Sequence, residues 1–569
     1  MINKMFCRIQ GFVLLLLVSL AAAQSHDHAH IGYVPREIMS RPIALETGIG
    51  TFHEKVTASS VQAQKFYDQG QAYLHSYMWI EAARSFNQAL RLDRKLGMAY
   101  LGLSYAFSPI DYDAARESLD RSDSLASSLS DREKQRIQVR RLQLEAMLAP
   151  QDSARLVRVR EALDSALQLA PNDLELLLLR GNAEEPTPFA DGQGCVAASI
   201  PYYANALKIH EGRFAAEHYL AHCYENTGNA AEALAHAQNY AREAPAVPHA
   251  QHMLGHELLR NGQLQQAIVQ FVTADALEKK YARAERIPSY LNWHHAHNLA
   301  LLADCYQAIG QMKSAEFVLK EEIATPVFTD YAMMNRSNWP LFLLTRDRFA
   351  EAQHAAQAMQ SLPSPLAQAT AHALAGQADM QLNNHELAAT ELGKASTISA
   401  GLNPTDAAAL RPHLLLLQIE LKLKAGNNAD ALEGLRELSR RIRSANSPDT
   451  SAVERLQLEA FSSFARKTGV WDLAAEAAKT MISHDPDYAA GHYALALCAE
   501  HQKDAGTASR EFQEALQLWS HADPDLPELR YARQHATEGA VQNSRLHLEF
   551  ANHGTLKSNL HPGLVDSVD

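Results

Sequence analysis

Two pairs of histidines in this chain stand one structural period apart. His218 and His222 lie in AEHYLAHCYENTG and His252 and His256 in AQHMLGHELLRNG, so both 252 − 218 and 256 − 222 equal 34 residues. A segment copied at such a period marks a repeat architecture, in which one unit cannot bury its apolar face alone. Within each pair the spacing is i, i+4, which sets both imidazoles on one face of a helix. The chain is thereby held to a stack of helical units whose core forms between neighbours rather than around one centre.

The stretch AQKFYDQGQAYLHSYMWIEAARSFNQALRLD begins at Ala63. With Ala63 as position 1 of a unit, Gly70, Tyr73, Ala82, Phe86 and Ala89 fall at positions 8, 11, 20, 24 and 27. These are the small and aromatic anchor positions of the tetratricopeptide repeat, and the segment resembles that family. The next unit follows with Tyr100, Leu103 and Phe107; further units begin near Phe214, Pro248, Ala296, Met333, Ala369, Pro412, Arg455 and Ala489, with two looser ones in 140–210. The resemblance implies an all-α fold, a right-handed α-solenoid of about twelve tetratricopeptide-like helical hairpins with a concave and a convex surface. The opening AQKFYDQG and the stretch PHAQHMLGHELLRNGQLQQAI also resemble a broad group of exported bacterial repeat proteins without an assigned activity.

Residues 1–23 read as a secretory signal: Lys4 and Arg8 precede the apolar GFVLLLLVSLAAA, and Ala21 to Ala23 fit a cleavage site. The expected product is a secreted or periplasmic protein, soluble rather than membrane-spanning, since no later run approaches the roughly 20 apolar residues a span needs. A polar segment follows over 24–60 and is expected to wrap or hang off the first repeat. Repeats then fill 61–210 (with a Pro- and Gly-rich loop near 184–195), 211–330 (the histidine-rich part, with an insertion at 282–295) and 331–522. A capping helix and polar tail occupy 523–569. The net charge of −13 and the absence of a basic groove with interleaved aromatics argue against nucleic acid. Cys195 and Cys223 are near enough in sequence for an extracellular disulfide, although separate structural thiols are the simpler expectation.

Helical geometry says where the histidines point. At about 100° per residue, positions 4, 7, 8 and 11 of a first helix form the core stripe, and positions 2, 5, 9, 12 and 13 lie roughly opposite. The resemblance implies that this second stripe lines the ligand-binding groove. On it fall His218 and His252 (position 5), His222 and His256 (position 9), His249 and His297 (position 2), Glu225 (position 12) and Asp304 (position 9).

Three readings fit these residues. A transition metal such as zinc, copper or nickel suits imidazole pairs at i, i+4, with His218, His222, His252 and His256 as ligands. A protein, peptide or envelope component in a polar groove suits them as hydrogen-bonding residues. Duplication alone would also copy the pairs. The leading expectation is a binding scaffold using the groove at 215–307, with metal handling as the alternative. No catalytic residue is assigned, because no nucleophile elbow, phosphate loop or HExxH helix occurs, and Glu257 follows the second histidine of HMLGHE instead of the first. His26, His28 and His30 in QSHDHAH form a separate short tract suited to metal capture. In NWHHAHN, Asn292 is expected to cap the following helix and Trp293 to pack on the preceding unit, with His294 and His295 undecided.

Overall fold

A computed structural model describes residues 34–187, 193–209, 213–328, 330–443 and 448–536. The signal segment, the QSHDHAH tract and the tail beyond 536 lie outside the described residues. Every regular element among the described residues is helical, and none is a strand. Among the described residues twelve antiparallel hairpins follow one another, from Val61–Leu74 with Trp79–Leu92 to Ala489–His501 with Ala505–Leu518. A further helical stretch over 527–536 closes the stack. This is the all-α solenoid of tetratricopeptide-like hairpins that the sequence predicts. No described helix is long and apolar enough to cross a membrane.

The anchors explain the hairpins. Gly228 and Gly262 take φ of 80° and 71° at the turns after two histidine-bearing helices, a left-handed conformation that glycine adopts without penalty. Phe86 is fully buried between two glycines: a Cβ on Gly70 would come within 2.5 Å of its ring, and one on Gly102 within 2.4 Å. The aromatic at position 24 therefore fills the space left by small residues on two neighbouring first helices. Gly102→Ala is expected to lower stability by about 1–3 kcal/mol through overpacking, measured by urea unfolding. An unchanged midpoint would show that the Phe86 ring can move aside.

Two details depart from the sequence reading, and a third goes beyond it. A unit was expected to begin near Pro412, but the helix runs Pro404–Lys424 straight through it. Asn403 caps the true start, its side chain accepting from the Asp406 N–H. The carbonyl of Ala408, whose helical donor Pro412 lacks, receives the Arg441 guanidinium at 2.9 Å. Asn292 is not the cap of the next helix, which starts at His295 with His294 at the N-cap. Trp293 packs on the preceding unit, its ring 5.9 Å from that of His249, and also reaches further: it stacks on Trp79 with centroids 5.4 Å apart and donates Nε1–H to the Tyr77 carbonyl at 3.3 Å. The insertion is long enough to reach across the solenoid to the first repeat.

The solenoid closes on itself. The segment before residue 60 crosses from the first repeat to the middle, where the Ala246 N–H bonds the Gly48 carbonyl at 2.8 Å and Gly50 lies against the Phe214 ring. Arg84, in the first hairpin, pairs with Glu285 at 2.6 Å. From the other end, Arg455 binds Asp304, and the Asp523 N–H bonds the Gly310 carbonyl at 3.1 Å. The inner side of the central repeats is thus covered from both termini.

Candidate metal centre

Three first helices stand side by side in the middle of the stack: Arg213–Asn226, Pro248–Arg260 and His295–Ala308. His218 and His222 of the first meet His249 at the start of the second. One repeat later, His252 and His256 of the second meet His297 at the start of the third. In each trio a ring nitrogen from every histidine lies within 4.8 Å of the other two. The trios are copies: positions 5 and 9 of one unit join position 2 of the next. The step from 249 to 297 is 48, the 34-residue repeat plus the 14 residues inserted at 282–295.

Each trio has one approach of 3.1 Å, His218 Nε2 to His249 Nε2 in the first and His256 Nε2 to His297 Nε2 in the second, so position 5 meets position 2 in one copy and position 9 meets it in the other. Ligands on a tetrahedral ion with bonds of 2.0–2.1 Å stand about 3.3–3.4 Å apart, so these nitrogens are near chelating separation. The same distance also suits one neutral imidazole donating to another. Acceptors stand behind four of the six rings.

His218 Nδ1 donates to the His75 carbonyl at 2.7 Å. His252 Nδ1 donates to Asn298 Oδ1 at 3.0 Å, and Asn298 is oriented by its own amide N–H, which bonds the Phe271 carbonyl at 3.0 Å. His256 Nδ1 lies 3.3 Å from Glu225 Oε1, and His222 Nδ1 lies 3.8 Å from Glu225 Oε2. A carbonyl or carboxylate oxygen only accepts, so each of these contacts favours a proton on Nδ1 and leaves the Nε2 lone pair facing inward. Such backing is what orients histidines at metal sites. His222 Nε2 and His249 Nδ1 are buried with no hydrogen-bond partner.

The sequence register predicts an open groove stripe, but all eight of its residues are buried, from 0% exposed for His218 to 9% for His222. Tyr77 of the first repeat covers one trio, its ring 4.6 Å from His218, 5.2 Å from His249 and 6.1 Å from His222. Phe271 backs the other, 5.6 Å from His252. Burial, reinforced by neighbouring imidazoles, pushes His218, His249 and His252 well below the usual histidine range. These rings are therefore neutral at physiological pH, the state that binds metal. Burial also works against charge on Glu225, yet the imidazoles of His222 and His256 outweigh it and hold the carboxyl down at about 2.

The remaining predicted residues divide between joining this set and leaving it. His249 and His297, second candidates in the sequence, each complete a trio. Asp304 is buried but its carboxylate is engaged by Arg455. Glu257 is fully buried, with neither oxygen hydrogen-bonded, and burial followed by the charge of Glu225 raises its carboxyl. His295 approaches Asp275 and Glu321, but Lys279 Nζ occupies that acidic pair at 2.9 and 2.6 Å. His294 is buried between the trios, 5.5 Å from the His249 ring and 6.2 Å from that of His252. Tyr77, the His75 carbonyl and Asn298 carried no sequence signal, because the first two come from a repeat more than a hundred residues away. Cys195 and Cys223 are disulfide-bonded with a Cα separation of 4.8 Å, where the sequence favoured separate thiols; the bond ties the residue after His222 to the loop before it.

No protein-family profile matches the chain, and no curated protein sequence matches it. Among solved structures, the crystal structure of the yeast Tom70 is similar at 14% identity over 85% of this chain and 96% of that one, with a TM-score of 0.32. So loose a likeness carries no argument about this chain.

Proposed function

We propose that this chain binds two transition-metal ions, one held by His218, His222 and His249 and the other by His252, His256 and His297. The observation that carries this reading is the duplicated trio, with inward-facing nitrogens set by acceptors behind the rings. Imidazole-only sets suit zinc, copper and nickel, and three protein ligands leave a fourth position for water or an exchangeable ligand. The reading is one of metal binding, without an assigned reaction. The disulfide beside the centre supports an oxidising compartment, in keeping with the export expected from the leader.

Elemental analysis of untagged protein is expected to find about two ions per chain in the wild type, given three ligands per site. His218→Ala should retain about one, and the His218/His222/His252/His256→Ala variant none. Metal-free wild-type protein that also takes up no zinc, copper or nickel on dialysis would refute the reading.

The histidine face within 215–307 is buried, so a protein or peptide partner has no direct access to His218 or His252. A second reading keeps the scaffold role and moves it elsewhere, to an apolar cleft of about 670 Å³ lined by Ile323, Trp339, Leu343, Ala355, Met359 and Leu362. Under it, Leu362→Lys, at a half-buried position on the cleft wall, would abolish binding of an apolar peptide and leave metal content unchanged. Binding that survives the substitution would remove this reading.

A further inference from the structure

Glu225 sets one carboxylate oxygen beside a histidine Nδ1 of each trio. Its Oε1 faces His256 Nδ1 at 3.3 Å and its Oε2 faces His222 Nδ1 at 3.8 Å, and the residue is 7% exposed. We infer that Glu225 is a positioning residue shared by the two metal sites, so that they load as one coupled unit. This inference rests on the two-site reading above and adds to it a link between the sites.

The physical case has three parts. First, a carboxylate can accept from two N–H groups at once, one on each oxygen. By accepting at Nδ1 it keeps Nε2 unprotonated in one histidine of each trio. Second, an ion on Nε2 of His222 withdraws electron density and makes its Nδ1–H a stronger donor. The 3.8 Å contact then tightens to a hydrogen bond and fixes the plane of the carboxylate. The other oxygen is thereby held against His256, and the second trio is oriented before its ion arrives. Third, two cations held near each other repel, and a buried negative charge between their ligands offsets that repulsion. His222, Glu225 and His256, at 9%, 7% and 6%, are also the least covered edge of the centre, so an arriving cation meets this carboxylate early.

Glutamine at this position tests the idea with little change of shape. A glutamine side chain has one accepting oxygen and one donating amide. The imidazole facing the oxygen keeps its proton on Nδ1. The imidazole facing the amide must accept there, which moves its proton to Nε2 and blocks that nitrogen as a ligand. Metal-free wild type, Glu225→Gln and Glu225→Ala would each be titrated with cobalt(II) and followed by its visible absorption.

The wild type is expected to take two ions. Glu225→Gln should keep one site near wild-type affinity and weaken the other by about 10–100-fold, whereas Glu225→Ala should weaken both by about that factor. His218→Ala removes a ligand from the first trio without touching Glu225, and should lower cobalt affinity at the second by about fivefold or more. Thermal melts of the metal-free variants show whether they fold, and the His218→Ala arm decides if the Glu225 variants do not. Two unweakened sites in Glu225→Gln, or an unchanged second site in His218→Ala, would overturn the inference. A wild type that takes no cobalt would instead overturn the two-site reading beneath it.

Discussion

Acidifying the metal-free protein from about pH 8 to about pH 5 is expected to unfold it, with stability starting to fall near pH 6.5. Four fully buried imidazoles set this behaviour. Burial, aided by neighbouring rings, depresses His218, His249 and His252 well below 6.5, and burial with the nearby His295 and His297 brings His294 down to about 3. Below about 6.5 the unfolded chain binds protons that these folded rings refuse, so the free energy of unfolding rises with pH across the window. Their contribution is whole above that value and is lost as pH falls towards the folded values.

Each such imidazole contributes a slope approaching ~1.4 kcal/mol per pH unit, so four approach ~5.5 kcal/mol per unit. That is comparable to the whole stability of many domains. Glu225 acts in a different window: with its folded carboxyl at about 2, its contribution is present above the ordinary glutamate value and is lost only in stronger acid. Thermal or urea unfolding at several pH values measures the profile. Bound metal should move the acid limb to lower pH, because protons and metal compete for the same nitrogens. A flat profile between pH 5 and 8 would mean that the rings protonate in place and that the centre is open to water.

Arg455→Ala is expected to cost about 3–5 kcal/mol, because it strips the guanidinium from a buried ion-pair network. Arg455 is 4% exposed and bridges Asp304, from the histidine-rich repeats, to Asp485 near the C-terminus. It also lies 4.8 Å over the Tyr488 ring. Removing it takes the guanidinium from the buried Asp304 carboxylate, while Asp485, 19% exposed, stays in reach of water, and the link between middle and C-terminal repeats goes with it. Replacing Arg455 with Met and Asp304 with Leu together should restore much of the loss, since apolar groups of similar volume often replace buried pairs without penalty. Urea unfolding of the two single variants and the double variant gives the coupling directly. A single variant within about 1 kcal/mol of wild type would show that water reaches the network.

Much of the fold was legible because its determinants are local. The 34-residue period, the small and aromatic anchors around Phe86 and the turn glycines 228 and 262 each act within one or two neighbouring units. Spacing alone put His218 with His222 and His252 with His256, and the register put His249 and His297 on the same stripe. Pro412 misled, because the donor that rescues its helix, Arg441, lies in the next helix of the stack. Asn292 misled for a related reason: the insertion follows contacts with Tyr77 and Trp79 and not the local capping preference.

The sequence by itself determined the helical stack and which face of it carries imidazoles, because helical periodicity is a property of each unit. Only the tertiary structure decided that this face is enclosed. The first repeat brings Tyr77 and the His75 carbonyl onto one trio, Glu225 reaches a ring in each, and Arg455 draws Asp304 away. Those relations depend on how far the stack curls before its ends meet its middle. That curl accumulates from small rotations between many units, and no single repeat encodes it.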